Sequence, residues 1–144
     1  MTDISTTPPR GRAINITLWV LQVLLAAFFV FAAAPKLLGE ATAVASFQAI
    51  GFGEWFRYLT GACELGGAIG LLIPRLSGVA ALGLVGVMVG ATLTNLFLLP
   101  GAAPLAIVTV LLGAVFGWIA WGRWPQTAAL LAAVGRRGPR TSPA

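Results

Sequence analysis

Few side chains in this sequence can do chemistry, and Glu64 is the most conspicuous of them. The chain has 144 residues, with four acidic residues, one cysteine and no histidine. A carboxyl group can exchange a proton with a bound molecule or accept a hydrogen bond from it. Glu64 lies in the middle of an apolar segment, where a carboxylate persists only if it is paired, protonated or beside water. Glu64 is therefore the first candidate for a functional residue, and we predict it to be the only deeply placed ionised group.

Three further polar residues are candidate neighbours of Glu64. Lys36 closes the first apolar segment, and Thr94 and Asn95 lie near the end of the third. Counted at about 1.5 Å per helical residue, these positions fall near one face of a bilayer, with Glu64 somewhat deeper. We expect the four residues to share an outward-facing pocket that binds a ligand or exchanges a proton. Lys36 either pairs with Glu64 across that pocket or extends outward to the lipid headgroups, and the sequence leaves both open.

The same residues also have structural interpretations. A protonated Glu64 would bond a neighbouring helix and fix its register without any further role. Cys63 points about 100° away from Glu64 around a helix, and it is interpreted as a small packing residue. Gln22, Thr92 and Thr109 are polar residues within apolar segments, where such side chains often bond their own helix backbone. No function is assigned to them.

The composition excludes several classes of site. With Cys63 alone and no histidine, the chain cannot form an internal disulfide, a CxxC redox pair or a Cys/His metal site. No catalytic residue is predicted, and a redox role would have to use a borrowed cofactor. The net charge of +5 comes from basic residues that flank apolar segments, which indicates contact with lipid headgroups and no binding of nucleic acid.

Hydropathy predicts the fold class. Hydrophobic residues make up 58% of the chain and charged residues 9%, far from the composition of a soluble domain. A bilayer core requires about 20 helical residues per crossing. The sequence therefore predicts an all-α integral membrane protein, an antiparallel four-helix bundle with a short interfacial helix between spans 1 and 2. The predicted spans cover about residues 14–34, 55–73, 77–99 and 105–122.

Charge and turn residues predict the boundaries and the orientation. Pro35 is expected to end the first span. Residues 1–12 are predicted to be a disordered cytoplasmic N-terminus, 13–124 the membrane domain, and 125–144 a basic and largely disordered cytoplasmic tail. Most Arg residues fall on the side of the two termini, so the positive-inside rule places both termini in the cytoplasm.

Small residues are expected to hold the helices together. In lipid the hydrophobic effect does not drive helix association, so close approach depends on residues that let backbones meet. Three glycine pairs with a spacing of four residues are predicted to serve this purpose: Gly66 and Gly70, Gly86 and Gly90, Gly113 and Gly117.

Three motifs in the spans are typical of one family. They are Ala-Pro-Lys36-Leu in the first span, Gly61-Ala-Cys-Glu64-Leu-Gly-Gly-Ala-Ile-Gly-Leu-Leu-Ile-Pro74-Arg75 in the second, and Met88-Val-Gly90-Ala91 in the third. With these motifs the chain resembles, over about residues 14–122, the DoxX-like family of small bacterial membrane proteins. The chain departs from the family at Ala33, where a glycine is frequent, and near Asn95, where many members have a histidine.

The resemblance implies a bacterial inner-membrane protein related to a subunit of a thiosulfate:quinone oxidoreductase and to oxidative-stress complexes. The first hypothesis is therefore a redox-associated subunit that binds a quinone or a similar lipophilic molecule near Glu64, with Lys36 and Asn95 as polar partners. It would work in the lipid bilayer with a redox partner protein or as a homo-oligomer. The second is a structural or scaffolding subunit whose basic tail touches anionic lipid or a protein. A small transporter is the third.

Overall fold

The described residues form helices joined by short turns, without a β-strand. A computed structural model describes residues 10–136. Its six helices are α1 Arg10–Leu38, α2 Ala41–Ile50, α3 Glu54–Leu72, α4 Ser77–Phe97, α5 Ala103–Gly122 and α6 Trp124–Gly135. The all-α prediction is confirmed, and α2 is the short helix expected between the first two predicted spans.

Three of the helices in this part of the chain are long and apolar enough to cross a membrane. They are Gly11–Leu38 in α1, Ser77–Phe97 in α4 and Ala103–Gly122 in α5. Large hydrophobic side chains remain exposed along them, which is the arrangement expected of helices that face lipid. The chain is thus a membrane protein. α3 has 19 residues but carries Glu54, Arg57 and Glu64, which make it less apolar than the other three.

Consecutive long helices pack side by side: α1 on α3, α3 on α4, and α4 on α5. Between α1 and α3, the Gln22 side-chain amide donates to the carbonyl of Leu71 at 2.5 Å, while Lys36 meets Glu64. The contacting residues therefore run in opposite order along the two helices. Between α4 and α5, the hydroxyl groups of Thr92 and Thr109 lie 2.7 Å apart.

A hydrophobic core joins the long helices. Phe29 of α1 packs edge-on against Phe116 of α5, with 5.2 Å between the ring centroids. Both rings are fully buried. Leu71 of α3 and Leu84 of α4 belong to the same buried cluster, so side chains of α1, α3, α4 and α5 all contribute to one core.

Pro35 does not end α1, which corrects the predicted boundary at residue 34. Proline removes one backbone donor, but the helix continues for three residues after it. The end comes at Gly39, which adopts a left-handed φ of 75°. The N–H of Glu40 then bonds the carbonyl of Pro35 at 2.9 Å, which is the long bond of a Schellman cap. The extra turn carries Lys36 on the helix.

The predicted disordered tail is wrong for residues 125–135, because they belong to α6. Thr127 of α6 is buried and packs against Gly78 in the first turn of α4. Pro125 lies in the first turn of the helix, where its missing N–H costs little. Residues 10–12 were also predicted to be disordered but belong to α1, and the predicted disorder at residues 1–9 and 137–144 lies outside the described residues.

Arg123, at the junction of α5 and α6, is a buried cation that the sequence did not predict. It is 4% exposed, and its guanidinium donates to Gln22 at 2.8 Å and to Asn15 at 2.7 Å. The guanidinium also lies over the Trp19 ring. Burial lowers the pKa of Arg123, but a guanidinium stays protonated in proteins. Neutral oxygens and an aromatic ring thus solvate this charge, and Glu64 is not the only buried ionisable group.

The six glycines predicted to pack do so only in part. At Gly70 an added Cβ would lie 2.7 Å from Cβ of Ala80, and at Gly113 it would lie 3.4 Å from Cβ of Met88. The other four would meet no atom within 4 Å: Gly66, Gly86, Gly90 and Gly117. The close helix contacts of α3 and α4 instead include Gly67, where an added Cβ would lie 2.6 Å from the Leu84 side chain.

We predict that Gly70→Ala lowers the free energy of unfolding by about 1–3 kcal/mol, because the new methyl group overpacks the contact with Ala80. Gly66→Ala is the matched control on the same helix. It has open space around the new methyl group, and the higher helix propensity of alanine favours it by up to about 1 kcal/mol. Reversible unfolding in mixed micelles measures both. Equal effects of the two substitutions would contradict the α3–α4 packing.

Candidate functional site

A cavity of about 640 Å³ lies among helices α1 to α5. Its walls are mainly apolar, and they include four aromatic rings: Phe28, Phe29, Phe47 and Phe56. Phe28 is half-exposed at the surface of the molecule, so the cavity is open to the exterior. A space of this size, lined by hydrophobic and aromatic residues with a few polar groups, is typical of small-molecule sites.

The charged part of the cavity is an ion pair between Lys36 and Glu64. The Lys36 ammonium donates to the two carboxylate oxygens at 3.0 Å and 2.7 Å. It donates a third bond to the carbonyl of Ala32 at 3.1 Å, one helical turn earlier in α1. The Lys36 side chain is 20% exposed and that of Glu64 is 7% exposed. Of the two orientations left open for Lys36, the structure has the one that faces Glu64.

The backbone around Lys36 is held by groups from α3. Arg57 is 2% exposed and its guanidinium donates to the carbonyl of Lys36, which satisfies an acceptor in the last turn of α1. Gly61 lies against the same turn, since a Cβ there would be 3.0 Å from Leu37 and 3.2 Å from Lys36. One turn after Gly61, Glu64 follows on the same side of α3. Close packing of the two helices thus brings the ammonium and the carboxylate within hydrogen-bond distance.

Thr94 and Asn95 line the same cavity from α4. Both are half-buried. Among the hydrogen bonds of the described residues, none joins either side chain to Lys36 or Glu64. The four candidate residues therefore border one space, but only Lys36 and Glu64 are in direct contact. A molecule between them would have the ion pair on one side and the hydroxyl and amide groups on the other.

Glycines of α4 form much of the remaining wall. Gly83, Gly86 and Gly90 all line the cavity, and a Cβ at any of them would meet no atom within 4 Å. Side chains at these positions would project into the cavity. The spacing of three and four residues is a signal in the sequence, but it was taken for helix packing at Gly86 and Gly90. Their missing side chains leave space for a ligand.

Cys63 and Arg57 also differ from their interpretation in the sequence. Cys63 was expected to be a packing residue, but it is exposed and lines the cavity next to Glu64. Arg57 is one of the basic residues beside apolar segments that were expected to contact lipid headgroups, yet it is buried and its guanidinium donates to the carbonyl of Lys36 near the end of α1. The sequence feature that could have predicted this buried position is the spacing. Arg57 precedes Glu64 by seven residues, which places both on one face of the helix, two turns apart.

Comparison with known proteins gives one result. The model of the DoxX-like family matches residues 20–117 of the chain. No curated protein and no solved structure matches it. All residues that line the cavity lie between Phe28 and Leu112, so the whole site is inside the matched range. Arg123 and α6 lie beyond that range.

A double-mutant cycle tests the ion pair. We predict that Lys36→Met lowers the free energy of unfolding by up to about 3 kcal/mol, because it leaves the Glu64 carboxylate buried without its cation. Glu64→Gln should cost less, since the amide oxygen still accepts a bond from Lys36. The double variant should be more stable than the sum of the two losses implies. Strictly additive losses in lipid–detergent unfolding experiments would contradict the pairing.

Proposed function

The chain belongs to the DoxX-like family of membrane proteins, and we propose that it is a redox-associated subunit whose cavity binds a quinone or a similar lipophilic molecule beside Glu64. One observation carries this proposal: the Lys36–Glu64 pair lies in the wall of a cavity of about 640 Å³ that is otherwise mainly apolar. A charged pair in such a place is costly. A ligand with an apolar body and a polar end would use both parts of the wall.

The chemistry of the wall fits a quinone ring. Aromatic side chains such as Phe28 and Phe56 offer flat apolar surface, and conjugated rings pack favourably against it. A quinone oxygen accepts hydrogen bonds, which the Lys36 ammonium can donate. On reduction the oxygen takes up a proton, and the Glu64 carboxyl is placed to exchange one with it. Asn95 and Thr94 are further hydrogen-bonding groups on the facing helix.

The electrons in this proposal come from a partner protein. Reduction of a quinone to a quinol requires two electrons and two protons. The chain has one cysteine and no histidine, so its own side chains offer neither the four thiolates of an iron–sulfur cluster nor a histidine for a haem. We therefore propose that a redox protein docks on this subunit, or on a homo-oligomer of it, while the subunit holds the quinone and handles its protons.

The proposed setting is a bacterial inner membrane, crossed four times by an antiparallel bundle of α1, α3, α4 and α5. The 19 residues of α3 suffice to cross, and its charged residues are buried or lie in its first turn. The opposite order of contacts along α1 and α3 supports alternating directions. Arg12, Arg75 and Arg136 lie next to the start of α1, the end of α3 and the end of α6, all at one end of the bundle, which supports cytoplasmic termini by the positive-inside rule.

Native mass spectrometry tests the ligand directly. The protein is purified in discs of the producing cell's own lipids, and the spectrum is searched for an adduct with the mass of a quinone. We expect Gly86→Leu to lose the adduct, because the leucine side chain fills the cavity without a clash near its Cβ. Gly117→Leu is the matched control, since Gly117 is equally open but does not line the cavity. This control should keep the adduct.

A second variant links the adduct to the ion pair. Glu64→Gln removes the charge but keeps the size of the side chain, so we expect it to retain less of the adduct than the original chain. Unfolding experiments on the same samples report whether the variant is still folded. If neither the original chain nor Gly117→Leu carries an adduct, and protein partners co-purify unchanged with all variants, the scaffolding alternative replaces this proposal. Flux of a solute into reconstituted vesicles would favour the transporter.

A further inference from the structure

Helix α6 begins where a membrane span ends. α5 ends at Gly122, and α6 starts two residues later at Trp124. Thr127 of α6 packs against Gly78, in the first turn of α4. Since α4 and α5 are apolar spans, α6 contacts the two of them at their ends on the same side. It is thus placed at the level of a membrane surface.

One side of α6 is apolar and uncovered. Leu131 and Val134 are 57% and 64% exposed, and Trp124 is also exposed. At 100° per residue these three fall within about 80° of one another around the helix axis, on the side that includes the buried Thr127. The opposite side carries only small or polar residues: Gln126, Ala129, Ala133 and Arg136. This division is typical of helices that lie in a membrane interface.

The charges at this end of the bundle are all positive in the described part of the chain. Arg12, Arg75, Arg123 and Arg136 lie there, while Glu40 and Glu54 flank α2 at the opposite end. The sequence continues after α6 with Arg137 and Arg140. Exposed Trp121 and Trp124 lie on either side of Arg123, as aromatic residues do at the level of headgroups. The surface is complementary in charge to an anionic leaflet.

We propose that α6 is an in-plane anchor that docks on a leaflet of anionic phospholipid. Its apolar side, formed by Trp124, Leu131 and Val134, lies among the upper parts of the acyl chains. The exposed arginines at this end, Arg12, Arg75 and Arg136, hold the phosphate groups, each contributing roughly a five-fold preference for a negative lipid at the surface. Arg123 fixes the direction in which α6 leaves α5, because its guanidinium is bonded within the bundle to Gln22 and Asn15. This inference is independent of the quinone proposal.

Quenching by brominated lipids tests the docking surface. The full chain with Cys63→Ala receives a single cysteine, Leu131→Cys, which carries a fluorescent label. It is placed in discs of phosphatidylcholine and phosphatidylglycerol, with bromine on the acyl chains of one lipid at a time. Bromine quenches a label only in contact, so we expect strong quenching at residue 131. Ala133→Cys, on the opposite side of α6, is the matched control and should be quenched at least two-fold less.

The lipid that quenches identifies the partner. At equal amounts of the two lipids, brominated phosphatidylglycerol should quench the label at residue 131 roughly two- to five-fold more than brominated phosphatidylcholine. Arg75→Gln combined with Arg136→Gln should reduce this preference, and Phe52→Cys at the other end should show none. Equal quenching at residues 131 and 133 would overturn the anchor. Equal quenching by the two lipids in the original chain would overturn its anionic partner.

Discussion

The ion pair between Lys36 and Glu64 is the interaction that explains the architecture of the protein around the cavity, where α1 ends. Its two groups attract by roughly 6 kcal/mol at 2.7 Å, taking an effective dielectric constant of about 20. Removing them from water costs several kcal/mol for each ion. The attraction and the desolvation cost nearly cancel, so the pair adds little to stability. Two hydrophobic side chains in its place would pack equally well. What the pair provides is a polar surface inside an apolar cavity.

The two ends of the bundle are built differently, and the ion pair lies at the more open one. At one end Gln22 bonds the Leu71 carbonyl and the Arg123 guanidinium, which ties α1 to α3 and to the α5–α6 junction. At the other end the helices separate around the cavity, and glycines of α4 widen it. The Phe29–Phe116 contact lies between these regions. A tightly bonded end thus holds the helices in register while the other end leaves space for a ligand.

Much of this fold follows from hydropathy. Apolar runs of about 20 residues predicted α3, α4 and α5 with ends within two residues of those found, because about 20 helical residues were expected for each bilayer crossing. α1 continued past Pro35 since the helix end depends on the Gly39 cap, which a rule based on proline alone ignores. α6 was missed although it has Pro125 in its first turn and a run of Ala and Leu, which are helix signals, because the basic, proline-containing residues after it favoured disorder for the whole tail.

The candidate site was predictable as a set of residues but not as a shape. Lys36, Glu64, Thr94 and Asn95 could be assigned to one end of the bundle by counting helical rise. Whether Lys36 faces Glu64 depends on a side-chain rotamer, and whether Gly86 packs or lines a cavity depends on how the helices rotate. Neither is encoded in local sequence. The buried Arg57 and Arg123 were misjudged for the same reason, since arginines near a span end usually extend to headgroups.

Mapping a photoreactive quinone by mass spectrometry tests the central claim most directly. The quinone is added to the protein in lipid discs, cross-linked by light and located on the sequence. Binding in the cavity predicts labels on Phe56, Leu59 and Val87 that an excess of unreactive quinone suppresses. Labels confined to the exposed residues Ile107 and Leu111, which do not line the cavity, and unaffected by that excess, would contradict a quinone site beside Glu64.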